Sequence, residues 1–254
     1  DLEQRYDAQL FDRVGKRLQL NAHGHTIRAL AESLMGEALE VEAALEQREA
    51  AGSLSVGATL TIGNYVAIPI IARFKEEYPA VDIRLHVANT AHIAEEVLNF
   101  DLDIGLIEGE YSHPDLLVEP WRADELVVFC APDHPFAQLE QLTDEQLVTA
   151  QWILREQGSG TRQTFDRAMQ GLLNDLTVRL ELEHTEAIKR AVEAGLGIGC
   201  LSGITLSDAF KRGSLVPLAV PHKDMSRHFY FVTHKKKFQS RSLQSWLDCC
   251  RAAE

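Results

Sequence analysis

From Ser53 onward short apolar runs alternate with amphipathic stretches, and this alternation restricts the chain to an α/β fold more tightly than any other feature. Residues 54–58, 81–87 and 102–107 read as strands, and 64–78 and 92–100 as helices, the first kinked or started late by Pro69. That βαβαβ order predicts parallel neighbours joined by right-handed crossovers. The scheme then repeats. Residues 125–131, 152–154, 178–182 and 197–201 read as strands, 161–173 and 185–194 as helices. A strand over 227–233 and a helix over 240–251 close the chain. Two α/β lobes follow, with crossings near 119–124 and 220–226. Lobe I takes 52–123 plus 225–254, and lobe II takes 124–224.

The chain before this region has a different pattern. Residues 24–50 carry no Pro and are rich in Ala, Glu and Leu, strong helix formers. Leu30, Leu34, Ala38, Val41 and Leu45 recur at helical spacing and make one apolar stripe. A lone exposed helix of this kind is marginal in water, so the stripe calls for a partner and predicts a dimer seam. Gly52-Ser53 is expected to end the helix. This gives a linker and dimerisation segment over 24–51. Ahead of it, Leu2, Leu10, Phe11, Leu18 and Leu20 are spaced as the end of a helix followed by a tight two-stranded turn. Arg13, Lys16 and Arg17 surround Gly15 at that turn. A basic, Gly-tipped hairpin is how the wing of a winged helix-turn-helix meets a phosphate backbone. Residues 1–23 thus read as the C-terminal remnant of such a domain, whose first helices would lie before Asp1.

Charge separates these parts. The net charge of −13 argues against this chain being a nucleic-acid binder by itself, because duplex DNA repels an acidic body. No apolar run reaches the roughly 20 residues of a membrane span, and no leader pattern opens the chain. Cys130 and Cys200 sit inside apolar runs and read as buried thiols; Cys249 and Cys250 are vicinal. None has C-x-x-C spacing and no H-E-x-x-H helix occurs, so neither a metal site nor a cofactor is expected. The cysteine usage fits a reducing cytosol.

In a two-lobed α/β fold, ligands bind where the carboxyl ends of strands meet between the lobes. Several segments there carry hydroxyls or small polar groups at helix starts: Thr59, Leu60 and Thr61; Asn89 and Thr90; Ser159, Gly160 and Thr161; His184 and Thr185. Helix starts offer free N–H groups and a positive dipole end, so a set converging from both lobes makes an anion site without a lysine. Each residue alone is equally an ordinary N-cap. Arg155 and Arg162 flank the Gly-Ser-Gly turn and would pair with the ligand or with a carboxylate such as Glu156. The run from His234 to Lys237 reads as a solvated turn. No G-x-S-x-G elbow or Walker lysine is present, and Gly195-Leu196-Gly197-Ile198-Gly199 lies in the wrong order for a dinucleotide fingerprint.

These strings, in their order and spacing, resemble LysR-type transcriptional regulators across nearly the whole chain. Leu2, Glu3, Leu10, Phe11, Arg13, Lys16, Arg17 and Gly24 match the end of that family's DNA-binding domain. Tyr6-Asp7 depart from its usual Leu-Gly, and Leu20-Asn21-Ala22-His23-Gly24 from its usual Leu-Thr-x-x-Gly. G-x-L-x-V-G at 52–57, T-I-G-N-Y at 61–65, F-x-x-x-Y-P at 74–79, D-L-D-I-G-L-I-E-G at 101–109 and T-E-A-I-K at 185–189 resemble its effector domain. The resemblance implies two Rossmann-like lobes of the type 2 periplasmic-binding-protein kind. It implies a small effector between them, a tetramer built from dimers, promoter DNA as partner, a cytoplasmic location and no catalysis. Within the family, T-I-G-N-Y and Q-G-S-G-T-R are similar to regulators of inorganic-anion use and carbon fixation.

Glu108 ends its strand and is expected near the cleft mouth. A protonated carboxyl there would donate a hydrogen bond and favour an anion able to share a proton, such as sulfite or bisulfite, over sulfate. Two rivals stand beside this reading: a solute-binding protein, and an enzyme on the same fold with His184 as a base.

Overall fold

The computed structural model describes residues 2–45 and 52–253. A short helix α1 (Leu2–Tyr6) leads into the hairpin β1 (Phe11–Val14) and β2 (Arg17–Leu20), paired antiparallel with Val14 opposite Arg17. Gly15 takes φ of 65° at the first central position of this two-residue turn, a conformation that favours glycine. Arg13, Lys16 and Arg17 are exposed on the hairpin. Helix α2 (Ala22–Leu45) follows, and Leu30, Leu34, Val41 and Leu45 are all exposed along it. The expected end of this helix at Gly52-Ser53 is corrected at its far side: both residues belong to the next strand, and the segment 46–51 lies outside the described residues.

The body follows the alternation read from sequence. Strands β3 (Gly52–Ala58), β4 (Val81–Val87) and β5 (Ile104–Glu108) are parallel, with β3 between the other two. A π-helical turn (Ile62–Val66) and α3 (Ala67–Glu77) join β3 to β4, and α4 (Thr90–Leu98) joins β4 to β5. Strand β6 (Leu116–Cys130) carries the chain across to the second lobe. There α5 (Asp144–Thr149), β7 (Gln151–Arg155), α6 (Gly160–Ala168), β8 (Thr177–Leu182), α7 (Thr185–Glu193), β9 (Ile198–Ser202), α8 (Gly203–Arg212) and β10 (Val216–Leu218) follow in order. Strand β11 (Ser226–His234) returns to pair with β5, and α9 (Arg241–Arg251) ends the fold. The strand order is β4-β3-β5-β11-β6-β9-β7-β8, with β10 on the edge of β6.

Strand β6 begins nine residues earlier than its apolar run suggests. Residues 116–125 pair with β11, and only 126–130 turn to β9 and β10. Pro120 falls beside the bulge at Phe229/Tyr230, where a missing N–H is tolerated. Each lobe has its own core. Val56, Leu106, Phe74, Phe229, Phe231 and Trp246 fill the first. Trp152, Phe165, Leu126, Cys130 and Cys200 form part of the second. All four cysteines are free and buried. No described helix is long and apolar enough to cross a membrane.

The turn after β11 is solvated at Lys235 and Lys236, as its lysine run suggested, but His234 is buried and Lys237 turns inward. Lys237 lies 2.7 Å from Asp103 and 3.4 Å from Glu32 of α2, and Phe238 packs on Gly36 of the same helix. Arg28 of α2 donates to Asp101 at 2.8 Å and to the Phe100 carbonyl at 3.2 Å. Helix α2 thus covers the end of this turn at Lys237 and Phe238.

Candidate functional site

The carboxyl ends of β3, β4 and β5 open at one edge of the first lobe, and those of β7 and β8 face them from the second. The segment after β3 is pinned by Thr59, whose N–H donates to the Leu106 carbonyl at 2.9 Å. Thr61 then caps the π-helical turn, and its N–H donates to Glu108 Oε1 at 2.8 Å. After β4, Asn89 caps α4 by accepting from His92 N–H, and Thr90 Oγ1 donates to the Glu108 carbonyl at 3.0 Å. After β7, Ser159 caps α6 by accepting from Arg162 N–H, and Thr161 Oγ1 donates to Glu108 Oε2 at 3.0 Å. Gly160 touches the Glu108 backbone so closely that an added Cβ would stand 1.9 Å from its carbonyl oxygen. Only glycine lets the two lobes meet at this spacing.

Glu108 is therefore corrected in place and in charge. It lies beneath the cleft at 1% exposure, not at its mouth. Burial by itself would raise its pKa. The Arg227 guanidinium, the Thr61 N–H and the charge of Arg155 outweigh that and bring it down to about 2. The carboxylate is ionised and is the anion that the helix starts of both lobes hold.

Arg227, on β11, was not singled out in the sequence. Its Nη1 donates to Glu108 Oε2 at 2.8 Å and to Thr161 Oγ1 at 3.0 Å, and its Nε donates to Asp124 Oδ2 at 2.7 Å. Asp124 in turn accepts from Ser202 Oγ, the cap of α8, at 2.7 Å. One guanidinium thus ties β5, both crossing strands and two helix starts of the second lobe. The signal for it was available: Arg227 shares strand parity with Phe229 and Phe231, so alternation points a charge inward.

Among the described residues three buried side-chain atoms have no hydrogen-bond partner: Arg227 Nη2 at this junction, Thr185 Oγ1 at the start of α7, and Trp246 Nε1 in the core of the first lobe. Neither Arg227 nor Thr185 lines the two cavities between the lobes. A cavity of about 690 Å³ opens between the lobes, lined by Leu60, Asn64, Asn89, His92, Glu156 and His184 among others. A neighbouring one of about 350 Å³ is lined by Thr90, Ser159 and Gly160. The structure thus brings Thr59, Thr61, Thr90, Glu108, Ser159, Gly160 and Thr161 together around one buried carboxylate. Leu60, Asn89 and His184 lie in the cavity wall. His184 makes no side-chain bond to the start of its helix. Arg155 and Arg162 take the carboxylate option: Arg155 pairs with Glu156 at 2.7 Å, and Arg162 with Asp166 and Glu181, both at 2.8 Å. Among the described residues no group of three or more His, Cys, Asp or Glu is placed to hold a metal.

A two-lobed α/β body with an anion-holding junction defines an effector-binding domain, and comparison with known proteins agrees. Residues 47–254 match the LysR substrate binding domain family. The chain belongs to the LysR-type transcriptional regulators. It is 43% identical over 253 residues to the HTH-type transcriptional regulator YeiE of Escherichia coli strain K12, covering 100% of this chain and 85% of that one. The regulatory domain of CcmR from Synechocystis PCC6803, solved in complex with 2-PG, superposes with a TM-score of 0.73 at 30% identity, covering 79% of this chain and 96% of that one. A full-length single-residue variant of OxyR from Pseudomonas aeruginosa shares the fold over 98% of this chain and 82% of that one, with a TM-score of 0.75 at 20% identity. The fold is the two-lobed, type 2 periplasmic-binding-like fold of these regulatory domains.

Proposed function

We propose that this chain senses a small inorganic anion, sulfite foremost, between its lobes and so controls promoter binding in the cytoplasm. The observation that carries the reading is the seat of Glu108, where the Thr61 N–H, the Thr161 hydroxyl and Arg227 surround one carboxylate. Glu108 fills these three donors, so the effector is placed beside them, in the cavity walled by Leu60, Asn64, Asn89 and His184 that opens on the same helix starts. With Glu108 charged, the shared proton belongs on the ligand. Bisulfite can donate it to the carboxylate, whereas sulfate has none to give and meets like-charge repulsion. Thr59, Leu60, Asn89, Thr90, Ser159, Gly160, His184 and Thr185 complete the effector contacts in this reading. The exposed stripe Leu30, Leu34, Val41 and Leu45 supplies the homodimer seam from which a tetramer is built. Arg13, Lys16 and Arg17 touch DNA phosphates beside the recognition helix of a winged helix-turn-helix.

Effector and closed lobes are linked by population shift, which requires unequal affinity for open and closed arrangements. A thermal-shift titration with sulfite tests the reading, with sulfate, thiosulfate, phosphate, 2-PG and small carboxylates as controls. Saturation at about 100 times Kd adds roughly 2.7 kcal/mol of stability. A selective rise with sulfite is expected. A flat response to sulfite beside a rise with a carboxylate or 2-PG overturns the choice of effector.

A further inference from the structure

The π-helical turn that begins after Thr61 also carries Tyr65, whose ring reaches the second lobe. Tyr65 Oη donates to Glu186 Oε1 at 2.5 Å and accepts from Lys189 Nζ at 3.1 Å. Glu186 and Lys189 lie one turn apart on the same face of α7, and their charges are 2.5 Å apart. Lys189 is only 8% exposed, because its ammonium also donates to the Thr205 carbonyl of α8 at 3.0 Å. That ammonium lies 5.6 Å from the centre of the Tyr65 ring. Tyr65 is the first-lobe partner of both Glu186 and Lys189. Its turn starts at the N–H that binds Glu108, and α7 starts at Thr185, whose buried hydroxyl has no partner among the described residues.

We propose that Tyr65, Glu186 and Lys189 form a clasp across the cleft, and that Tyr65 is a positioning residue setting the spacing of the two anion-facing helix starts. The proposal rests on the effector reading for its effect on affinity, but not for its effect on lobe spacing. A phenol between a carboxylate and an ammonium satisfies both charges without net charge of its own, so it closes the lobes without adding repulsion to an arriving anion. Losing the hydroxyl leaves the Glu186–Lys189 pair intact on α7 and frees α7 from the turn. A ligand then escapes faster, while the encounter that admits it is unchanged.

Tyr65→Phe and Lys189→Met test this, with sulfite kept anaerobic as the probe. Spin labels at Ile68→Cys and Lys211→Cys, both exposed on opposite lobes, report spacing. Tyr65→Phe is expected to raise the dissociation rate of sulfite about tenfold, the worth of one charge-assisted hydrogen bond. The association rate should stay within about twofold. The label distances should lengthen and broaden without any anion. The double variant should lose less than the sum of the two single losses, because both remove the Tyr65–Lys189 contact. Unchanged label distances in Tyr65→Phe overturn the clasp. Failure of the parent chain to bind sulfite overturns the effector instead, and the distances still decide the clasp.

Discussion

Glu108 and Arg227 pair at 2.8 Å with 1% of either side chain exposed, and Arg227 leans on Asp124 at 2.7 Å from its other edge. Breaking one partner of a buried pair costs about 3–5 kcal/mol, because a charge is left without its counterpart. Glu108→Gln keeps an acceptor for Thr61 and leaves Asp124 with Arg227, so the cost should fall near the lower end, about 3 kcal/mol. Urea unfolding reads this directly. In the same variant sulfate should gain on sulfite, and an unchanged preference between them would show that Glu108 does not select the anion.

The same carboxylate predicts a response to acid. Its folded pKa is depressed to about 2 from an ordinary value of 4.5, so the folded state prefers it ionised. Its stabilisation is complete above pH 4.5 and is lost as pH falls towards 2. The difference amounts to about 3 kcal/mol. Glu108→Gln should lack this part of the acid loss; parallel stability curves for parent and variant between those limits would refute the assignment.

Gly160→Ala places a methyl 1.9 Å from the Glu108 carbonyl oxygen, in contact with backbone that cannot turn aside. The lobes must separate, and the Thr161–Glu108 bond goes with them. Small-angle scattering should show an enlarged chain, and the anion-induced rise in melting temperature should vanish. A variant as compact as the parent would mean that the junction yields locally.

Arg28→Ala removes contacts of α2 to Asp101 and Phe100, but Arg28 is 31% exposed and Asp101 52%. Exposed pairs of this kind contribute about 0–1 kcal/mol. The urea midpoint should therefore barely move. A large loss would show that α2 is integral to the folding of the first lobe.

Periodicity carried most of the fold. The parallel triads β3–β5 and β7–β9 and the helices between them lie where alternation placed them, with ends shifted by a few residues. The first half of β6 was illegible because Pro120, Arg122 and Asp124 break its apolar pattern, and only pairing with β11 makes it a strand. Helix α8 was missed because it follows a strand with no loop, Ser202 ending one and capping the other. At the site, helix-start chemistry singled out Thr61, Thr90 and Thr161. It placed Glu108 at the surface because nothing local shows that Arg227, 119 residues away in sequence, stands behind it. Likewise Tyr65 and Lys189 end the strings T-I-G-N-Y and T-E-A-I-K, but their meeting depends on how two lobes close, which a one-dimensional pattern does not record.

The outgoing crossing between the lobes is a continuous strand, and the return, after a turn over 219–225, pairs with it from Ser226 onward. Strand β6 runs unbroken from Leu116 to Cys130, and β11 is zipped to its first ten residues apart from the bulge at Phe229/Tyr230. On its other side β11 is paired with β5 from Gly105 to Glu108, so this ribbon is woven into the first lobe's sheet while residues 126–130 of β6 belong to the second. Asp124 and Arg227, at the seam, therefore hold both lobes at once: Asp124 accepts from Ser202 Oγ in the second, and Arg227 donates to Glu108 in the first. A side chain at such a seam cannot be assigned to one lobe or the other.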